Sequence, residues 1–296
     1  MAIHLSTLVS CFLIAYFYFM KLTIYQVDAF AEKAFQGNPA AVVPLEDWID
    51  DDVMQKIAME NNLSETAFFV KGKLPGNYDS EKGGTTKSEA FYHLRWFTPA
   101  FEIDLCGHAT LASAYIIKNF IEPHLAEINF TTQKAGGLKA IAKDGIYTLD
   151  FPSKMPLPCD VPDQLLKCLN ITTAVEVVKS RDYFVVLPNE DAVKNVEPDF
   201  ALMKELDSVG VIVTSKGQSA DVVSRCFYPG AGIPEDPVTG SAHCNIVPYW
   251  SDKLGKTKLF CKQLSQRGGD LHCELEGDRV LMSGKCVLYL TGEINV

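Results

Sequence analysis

Two stretches that lie far apart in the chain have the composition of a helix buried on every side. The segment 106–110 (CGHAT) leads into an uncharged run that continues to Ile117, and the segment 239–243 (TGSAH) leads into a second one that continues to Trp250. A helix without charge on any face is normally enclosed by other elements. Because each run is entered through a glycine turn, we predict two related halves, each built around one central helix.

Each of these helix starts would also be a place to bind an anion. The first turn of a helix has unpaired backbone N–H groups and lies at the positive end of the helix dipole, and both favour a negative charge. We expect the starts at Gly107 and Gly240 to meet at one cleft between the two halves. Such a cleft would suit a small substrate that carries a carboxylate.

The rest of the chain is rich in strand-like runs and poor in helices. Residues 50–62 and 162–169 have the pattern of short surface helices, residues 72–88 that of a solvated loop, and residues 280–290 that of a single closing strand. The strict alternation that a doubly wound sheet needs is missing. We predict an α+β fold of two pseudo-symmetric halves, each a curved, mainly antiparallel sheet wrapped around its buried helix.

Three segments follow from this organisation: an N-terminal extension at 1–19, a first half at 20–133, and a second half at 134–296 whose last strand could cross back to the first. Residues 8–19 are apolar and aromatic, like the core of a signal peptide or a short membrane anchor. They lack a basic flank and a cleavage site, and they are short for a span of about 20 residues. We favour an upstream start or an added segment over a working signal.

Composition excludes several classes of partner. The net charge is −10, the pI is near 5.1, and no Lys/Arg cluster is present, so we expect neither nucleic acid nor a stable membrane partner. The nine cysteines are an odd number without CxxC spacing. This pattern favours reduced thiols in a cytoplasmic protein over a disulfide framework. The six histidines and the cysteines show no ligand spacing, so we expect no metal site.

One carboxylate stands out because of its surroundings. Glu65 begins an otherwise apolar strand, after Ser64. A carboxylate withdrawn from water can hold and return a proton near neutral pH, as the removal of a proton from carbon requires. The alternative is an ordinary solvated glutamate at a strand end, which position alone favours.

Three further residues have both a functional and a structural interpretation. His108 begins the first buried helix and could be a proton-transfer group or a capping or core histidine. Asp236 lies in a loop rich in glycine and proline before the second buried helix, where it could act in the cleft or only form a turn or cap. Arg267 lies in a predicted hairpin turn and could be only a surface charge.

Taken together, these segments resemble a known family. From Met20 to the C-terminus the chain is similar to the PhzF-like isomerases of phenazine biosynthesis, relatives of diaminopimelate epimerase. The resemblance depends on six motifs that occur in order along nearly the whole chain: 37–43 (GNPAAVV), 62–68 (NLSETAF), 95–99 (RWFTP), 106–112 (CGHATLA), 235–243 (EDPVTGSAH) and 267–269 (RGG).

The resemblance implies a fold, an active site and an assembly. It implies two halves, each a curved sheet around one central helix, with the active site between them. It places the catalytic acid/base on Glu65, with assistance from His108 and Asp236. Among the substrate-binding positions it implies are Ser64, Gly107 and Ser241, to which the helix-start argument adds Gly240. Family members work without a metal or an organic cofactor, usually as homodimers.

The function implied is cofactor-free isomerisation. A proton would leave one carbon of a small anionic metabolite, cyclic and unsaturated, and return to another carbon, while the helix starts hold the carboxylate and the developing charge. Two alternatives remain: a non-catalytic binding or regulatory protein that keeps the fold, and a lyase or hydratase that uses the same carboxylate.

The chain departs from the epimerase relatives at one position. Those relatives use two cysteines, one before each glycine turn. Cys106 occupies the first place here, but Thr239 occupies the second, and its hydroxyl cannot act as a thiolate base near neutral pH. A two-thiol racemase is therefore disfavoured, and we expect Cys106 to pack as a small buried residue.

Overall fold

In the computed structural model, which describes residues 20–72 and 90–296, the chain has the α+β architecture that the sequence predicts. One long, mainly antiparallel sheet passes through both halves, and few helices accompany it. The N-terminal extension at 1–19 and the part of the predicted loop at 73–88 lie outside the described residues.

The first half is a sheet that wraps around one helix, and it runs to Pro152, past the predicted division at 133, because the last two strands of this sheet pack on the same helix. Its strands pair in the order β1, β2, β3, β4, β6, β7, β8, with the short β5 beside β4. Their bounds are β1 Lys21–Ala29, β2 Asn38–Leu45, β3 Glu65–Lys71, β4 Ala90–Phe97, β5 Glu102–Ile103, β6 Glu127–Thr131, β7 Gly137–Lys143 and β8 Ile146–Pro152. Helix α2 (Gly107–Ile116) packs on β1, β2, β3, β7 and β8, and nine of its ten residues are buried. A single π-helical turn, Ile117–Ile121, follows it.

The second half repeats this arrangement around helix α6 (Gly240–Leu254), which packs on β15, β16 and β17. Its strands are β9 Leu157–Pro158, β10 Glu176–Lys179, β11 Tyr183–Val186, β12 Val211–Lys216, β13 Val222–Tyr228, β14 Ile233–Asp236, β15 Lys258–Gln263, β16 Gly269–Glu276 and β17 Arg279–Gly284. Both uncharged runs therefore form the buried central helices that the sequence predicts, because only an enclosed position suits a helix without a polar face.

A proline inside α6 ties this helix to the chain that enters the second half. Pro248 has no N–H group, so the carbonyl oxygen of Cys244, four residues earlier, lacks its helical donor. The backbone N–H of Lys154 donates to that oxygen instead, at 2.8 Å. The proline thus frees an acceptor that anchors the connection after β8.

The closing segment corrects one prediction. Residues 280–290 were expected to form a single strand, but the chain breaks at Lys285 into β17 and a final strand, β18 (Cys286–Asn295). Strand β17 pairs with β8, whereas β18 crosses to the first half and pairs with β1 from Lys21↔Asn295 to Ala29↔Cys286. The crossing of the last strand was left open by the sequence, whereas the break was missed because an apolar run shows where strands can form but not where one ends and the next begins.

The described residues form four other α-helices besides the two central ones. The predicted surface helices are α1 (Asp51–Asn61) and α3 (Asp163–Cys168). The residue that caps the end of α1, Asn62, lies in the left-handed region with φ 49°. Two more, α4 (Glu190–Lys194) and α5 (Phe200–Met203), are too short for their periodicity to be visible in the sequence. Over the described part of the chain, no helix combines the length and the apolar character that a membrane span requires.

Candidate active site

The two central helices begin at the same place, as the sequence predicts. A Cβ atom placed on Gly107 would lie 3.4 Å from the Cα atom of Gly240, and a Cβ atom on Gly240 would lie equally close to Gly107. A methyl group at either position would therefore already touch the other helix start. The glycines therefore let two positive helix ends share one small region.

An open cleft of about 410 Å³ lies beside this meeting point. Both halves contribute to its walls: Glu65 and residues 101–105 come from the first half, and Tyr228, Asp236 and Ser241 come from the second. The predicted acid/base and one predicted substrate-binding serine therefore face the same space. The cleft is large enough for a small cyclic metabolite.

At the floor of the cleft, Glu65 faces His108. Both residues are almost fully buried, with 6% and 4% of their surfaces exposed, so Glu65 is not the solvated strand-end group of the alternative interpretation, whereas burial fits both interpretations of His108. Glu65 Oε2 lies 3.0 Å from His108 Nε2, although the approach is not aligned as a hydrogen bond. Burial disfavours a charged His108 ring, but the nearby Cys106 and Glu65 outweigh it and hold the pKa of His108 well above its usual value. Because the pKa of the Cys106 thiol is raised to about 11, this thiol is uncharged near neutral pH, and we assign the raised pKa of His108 to the carboxylate of Glu65.

Asn38 joins the two halves of the site and was missed as a functional residue by the sequence analysis. Its Nδ2 donates to Asp236 Oδ1 at 2.7 Å and to the Val238 carbonyl at 2.9 Å, and lies 3.2 Å from His108 Nδ1. Asn38 is fully buried at the start of β2. The available signal was a polar residue in the GNPAAVV motif, where every residue after the proline is apolar.

Asp236 is a buried carboxyl group held by a network rather than a helix cap. It accepts from Asn38, and Thr239 Oγ1 donates to its Oδ2 at 2.5 Å. Gln263 fixes the surrounding loop, because its Nε2 donates to the Asp236 carbonyl at 2.6 Å and its Oε1 accepts from the Thr239 N–H at 2.9 Å. Burial raises the pKa of Asp236 to about 6, although the charge on His108 opposes the change. The carboxyl group can therefore change its protonation near neutral pH.

This raised pKa predicts how stability depends on pH. Native Asp236 binds its proton more tightly than the unfolded chain does, so its contribution is complete below about pH 4 and is lost as the pH rises through about 6. Relative to Asp236→Asn, the wild type should lose on the order of 3 kcal/mol of unfolding free energy between these limits. Urea unfolding of both proteins from pH 4 to pH 7 measures the difference. Parallel curves would contradict the assignment.

Cys106 lies beside the same histidine but is poorly suited to thiolate chemistry. Its Sγ lies 3.5 Å from His108 Nδ1, and burial raises the pKa of the thiol to about 11. Glu65, Cys106 and His108 place potential metal ligands within 4.8 Å of one another. However, Glu65 faces one ring nitrogen and Cys106 the other, so an ion on either nitrogen would have one of these ligands on the far side of the ring. The three residues are better arranged to hold a proton.

The remaining predicted residues occupy different places. Ser64 is half-buried immediately before β3, and Ser241 lies in the first turn of α6 on the cleft wall. Arg267 lies in the predicted turn between β15 and β16 but is more than a surface charge. Its Nη2 pairs with Asp28 at 2.7 Å, and its Nε donates to the carbonyl of Gly37 at 2.8 Å. Arg267 therefore fixes the loop that delivers Asn38.

The fold and the cleft together define a class of protein. Two halves, each with a curved sheet around a central helix, form the diaminopimelate epimerase-like fold, and in this chain they meet at an acidic cleft beside both helix starts. The chain belongs to the PhzC-PhzF family, described as phenazine biosynthesis-like protein, whose model matches residues 27–292.

Relatives and solved structures agree with this assignment. A protein of Pseudomonas aeruginosa named as an uncharacterized isomerase is 47% identical over 277 residues, covering 94% of this chain and 100% of that protein. A crystal structure of a PhzF-family phenazine biosynthesis protein from Enterococcus faecalis is 46% identical with a TM-score of 0.84, covering 94% of this chain and 100% of that one. A structure from P. aeruginosa named as a predicted epimerase shares the fold. It is 19% identical with a TM-score of 0.67, covering 92% of this chain and 99% of that one. Isomerase is thus the general class that these comparisons support.

Proposed function

We propose that this protein is a cofactor-independent isomerase that moves a proton between two carbons of a small carboxylated substrate, cyclic and unsaturated, with Glu65 as the acid/base. One observation carries the proposal: Glu65 is buried at the floor of an open cleft, beside the point where two helix starts meet. The helix starts bind the substrate carboxylate and stabilise negative charge, and the carboxylate of Glu65 removes and returns the proton.

The neighbours of Glu65 support a single proton that is held in the site. His108 does not line the cleft and lies 3.0 Å from Glu65, which does. Asp236 also lines the cleft and is joined to His108 through Asn38. Because Glu65 is buried but lines an open cleft, a proton taken from substrate can be held there and returned to a second carbon, while part of it exchanges with water before the return.

The proposal is tested with a substrate that can report proton transfer directly. In 2,5-cyclohexadiene-1-carboxylate, loss of the proton at C1 gives a dienolate, and return of a proton at C3 gives the conjugated diene without loss of any atom. The protein, dialysed against a chelator, should produce this isomer and incorporate deuterium in D₂O. Binding without isomerisation or exchange would favour a non-catalytic binding protein, and a product heavier by one water molecule would favour a hydratase.

Cys106 provides an independent check against thiol chemistry. Because burial raises the pKa of its thiol to about 11, the thiolate fraction at pH 7 should be about 300-fold below that of a free cysteine of pKa about 8.5. We expect slow labelling of Cys106 by iodoacetamide, and activity of Cys106→Ser within a few-fold of wild type. Rapid labelling that substrate prevents, with loss of activity, would show that a thiol performs the chemistry.

The resemblance to the family also leads us to propose a cytoplasmic homodimer. The cytoplasmic location is supported by the free cysteines among the described residues, because free thiols suit a reducing compartment. Light scattering of the purified protein measures the mass of the assembly, and a monomer at micromolar concentration would contradict the homodimer.

A further inference from the structure

Arg181 is a cleft residue that the sequence analysis did not single out. It lies in the turn between β10 and β11 and contributes to the cleft wall. Among the described residues that line the cleft, Arg181 is the one cationic side chain, and the titratable carboxylates there are Glu65, Glu102, Asp104 and Asp236. An anionic substrate entering this space would therefore meet one positive side chain.

Two buried groups hold the guanidinium in a fixed orientation. Arg181 Nε lies 3.0 Å from Asp182 Oδ1, and its Nη2 lies 2.7 Å from Asp182 Oδ2. Asp182 is 2% exposed and also accepts a hydrogen bond from the Tyr228 hydroxyl at 3.3 Å. The guanidinium carbon lies 5.7 Å from the centre of the Tyr228 ring. A planar guanidinium held on one edge and one face loses little further freedom when it binds a ligand.

The fixed guanidinium reaches the start of α6. Arg181 Nη2 lies 3.4 Å from Ser241 Oγ, and Ser241 is in the first turn of that helix. Its Nη1 has no acceptor among residues 20–72 and 90–296, and about half of the side chain is exposed to the cleft. An oxygen atom bound at this helix start is therefore also within reach of a guanidinium N–H.

We propose that Arg181 is the residue that makes the cleft selective for a carboxylate over an uncharged carbonyl group, by donating to the carboxylate held at the start of α6. This inference rests on the proposed function, because it concerns the same bound group. Helix N–H groups alone can donate to a carboxylate or to a neutral amide oxygen, whereas a guanidinium favours the charged acceptor. Arg181 is a specificity-determining residue, and proton transfer stays with Glu65.

The test compares two ligands of equal shape. Binding of 1-cyclohexene-1-carboxylate and of 1-cyclohexene-1-carboxamide is measured by NMR titration with wild type, Arg181→Gln and Arg181→Lys. Wild type should prefer the carboxylate by at least about 10-fold. Arg181→Gln should weaken carboxylate binding by about 10- to 100-fold and leave amide binding within about three-fold, while Arg181→Lys should fall between them.

Two further variants separate this role from a structural one. Arg181→Gln leaves the buried Asp182 without its partner, so Arg181→Gln combined with Asp182→Asn removes both charges and should show the same loss of selectivity. Arg279→Gln is the matched control, because Arg279 pairs with Asp150 at 2.7 Å and has a similar exposure, 42% against 48%, but does not line the cleft. It should bind both ligands as wild type does.

The outcomes are distinct. A wild type without carboxylate preference, or a double variant that keeps it, overturns the role of Arg181. Equal loss of both ligands in the double variant also overturns it, because Arg181 would then only support the wall. These are equilibrium measurements, so they decide the role of Arg181 even if the diene carboxylate shows no deuterium exchange and the proposed isomerisation fails.

Discussion

Replacing Glu65 with glutamine is expected to reduce deuterium exchange into the substrate by at least about 10²-fold, because glutamine keeps the shape of the side chain but cannot accept and return a proton. Glu65 begins β3 and is 6% exposed, and its partner His108 lies 3.0 Å away. Binding of 1-cyclohexene-1-carboxylate should stay within a few-fold of wild type, because the helix starts are unchanged. Exchange is measured by NMR in D₂O, and binding by titration.

Asp104→Asn is the matched control for this experiment. Asp104 is a carboxylate that lines the same cleft, but its side chain is 63% exposed and pairs with Lys134. Its removal makes the same change of charge without touching the floor of the site, so exchange should stay within about two-fold. Glu65→Gln with wild-type exchange would exclude Glu65 as the acid/base, and equal losses in both variants would point to a general effect of charge.

Replacing Asn38 with leucine is expected to affect both stability and activity. The change removes the donor to Asp236 Oδ1 and to the Val238 carbonyl, and both acceptors are buried. Leaving two buried acceptors with fewer partners should reduce the unfolding free energy by about 2–4 kcal/mol. With one donor lost, the pKa of Asp236 should rise further, and the pH at which its contribution to stability disappears should rise with it. Urea unfolding across pH measures both effects.

Asn245→Leu separates a positioning role from simple loss of a buried hydrogen bond. Asn245 lies in α6, is 4% exposed, and donates to the Lys154 carbonyl at 2.6 Å outside the cleft. Both variants should lose stability, but deuterium exchange of the folded protein should fall by at least about 10-fold only in Asn38→Leu, because Asn38 lies between His108 and Asp236. Normal exchange in Asn38→Leu would limit Asn38 to the fold.

Patterns that are local in the chain predicted much of the architecture. The absence of charge around two helices identified α2 and α6 as buried, and the glycine turn at each start indicated two related halves whose helix starts meet at one cleft. For Glu65, position alone favoured a solvated strand-end carboxylate, and only the family motif indicated the buried one that the structure has. Composition and periodicity act within one element, so they describe which face is buried.

What the sequence did not show depends on which elements become neighbours. Arg181 acquires its place in the cleft from a turn between two short strands, and Gln263 reaches the loop of Asp236 from the end of β15. Asn38 contacts His108, which is 70 residues away in the sequence, and Asp236, which is 198 residues away. A single hydrogen-bonding side chain has no periodic pattern, so its partner is visible only after the sheet has brought distant segments together.

The crossing of β18 to β1 also determines the order in which this protein can be completed during synthesis. Strand β1 is among the earliest described elements to be made, but the partner on one of its edges, from Cys286 to Asn295, is nearly the last. At 5–20 residues per second, that edge of β1 waits roughly 10 to 60 seconds for its partner. Until then its backbone N–H and C=O groups are open to pairing with other chains. A ribosome-bound fragment that ends before β18 should therefore depend on chaperones, whereas a chain that includes β18 closes its own sheet.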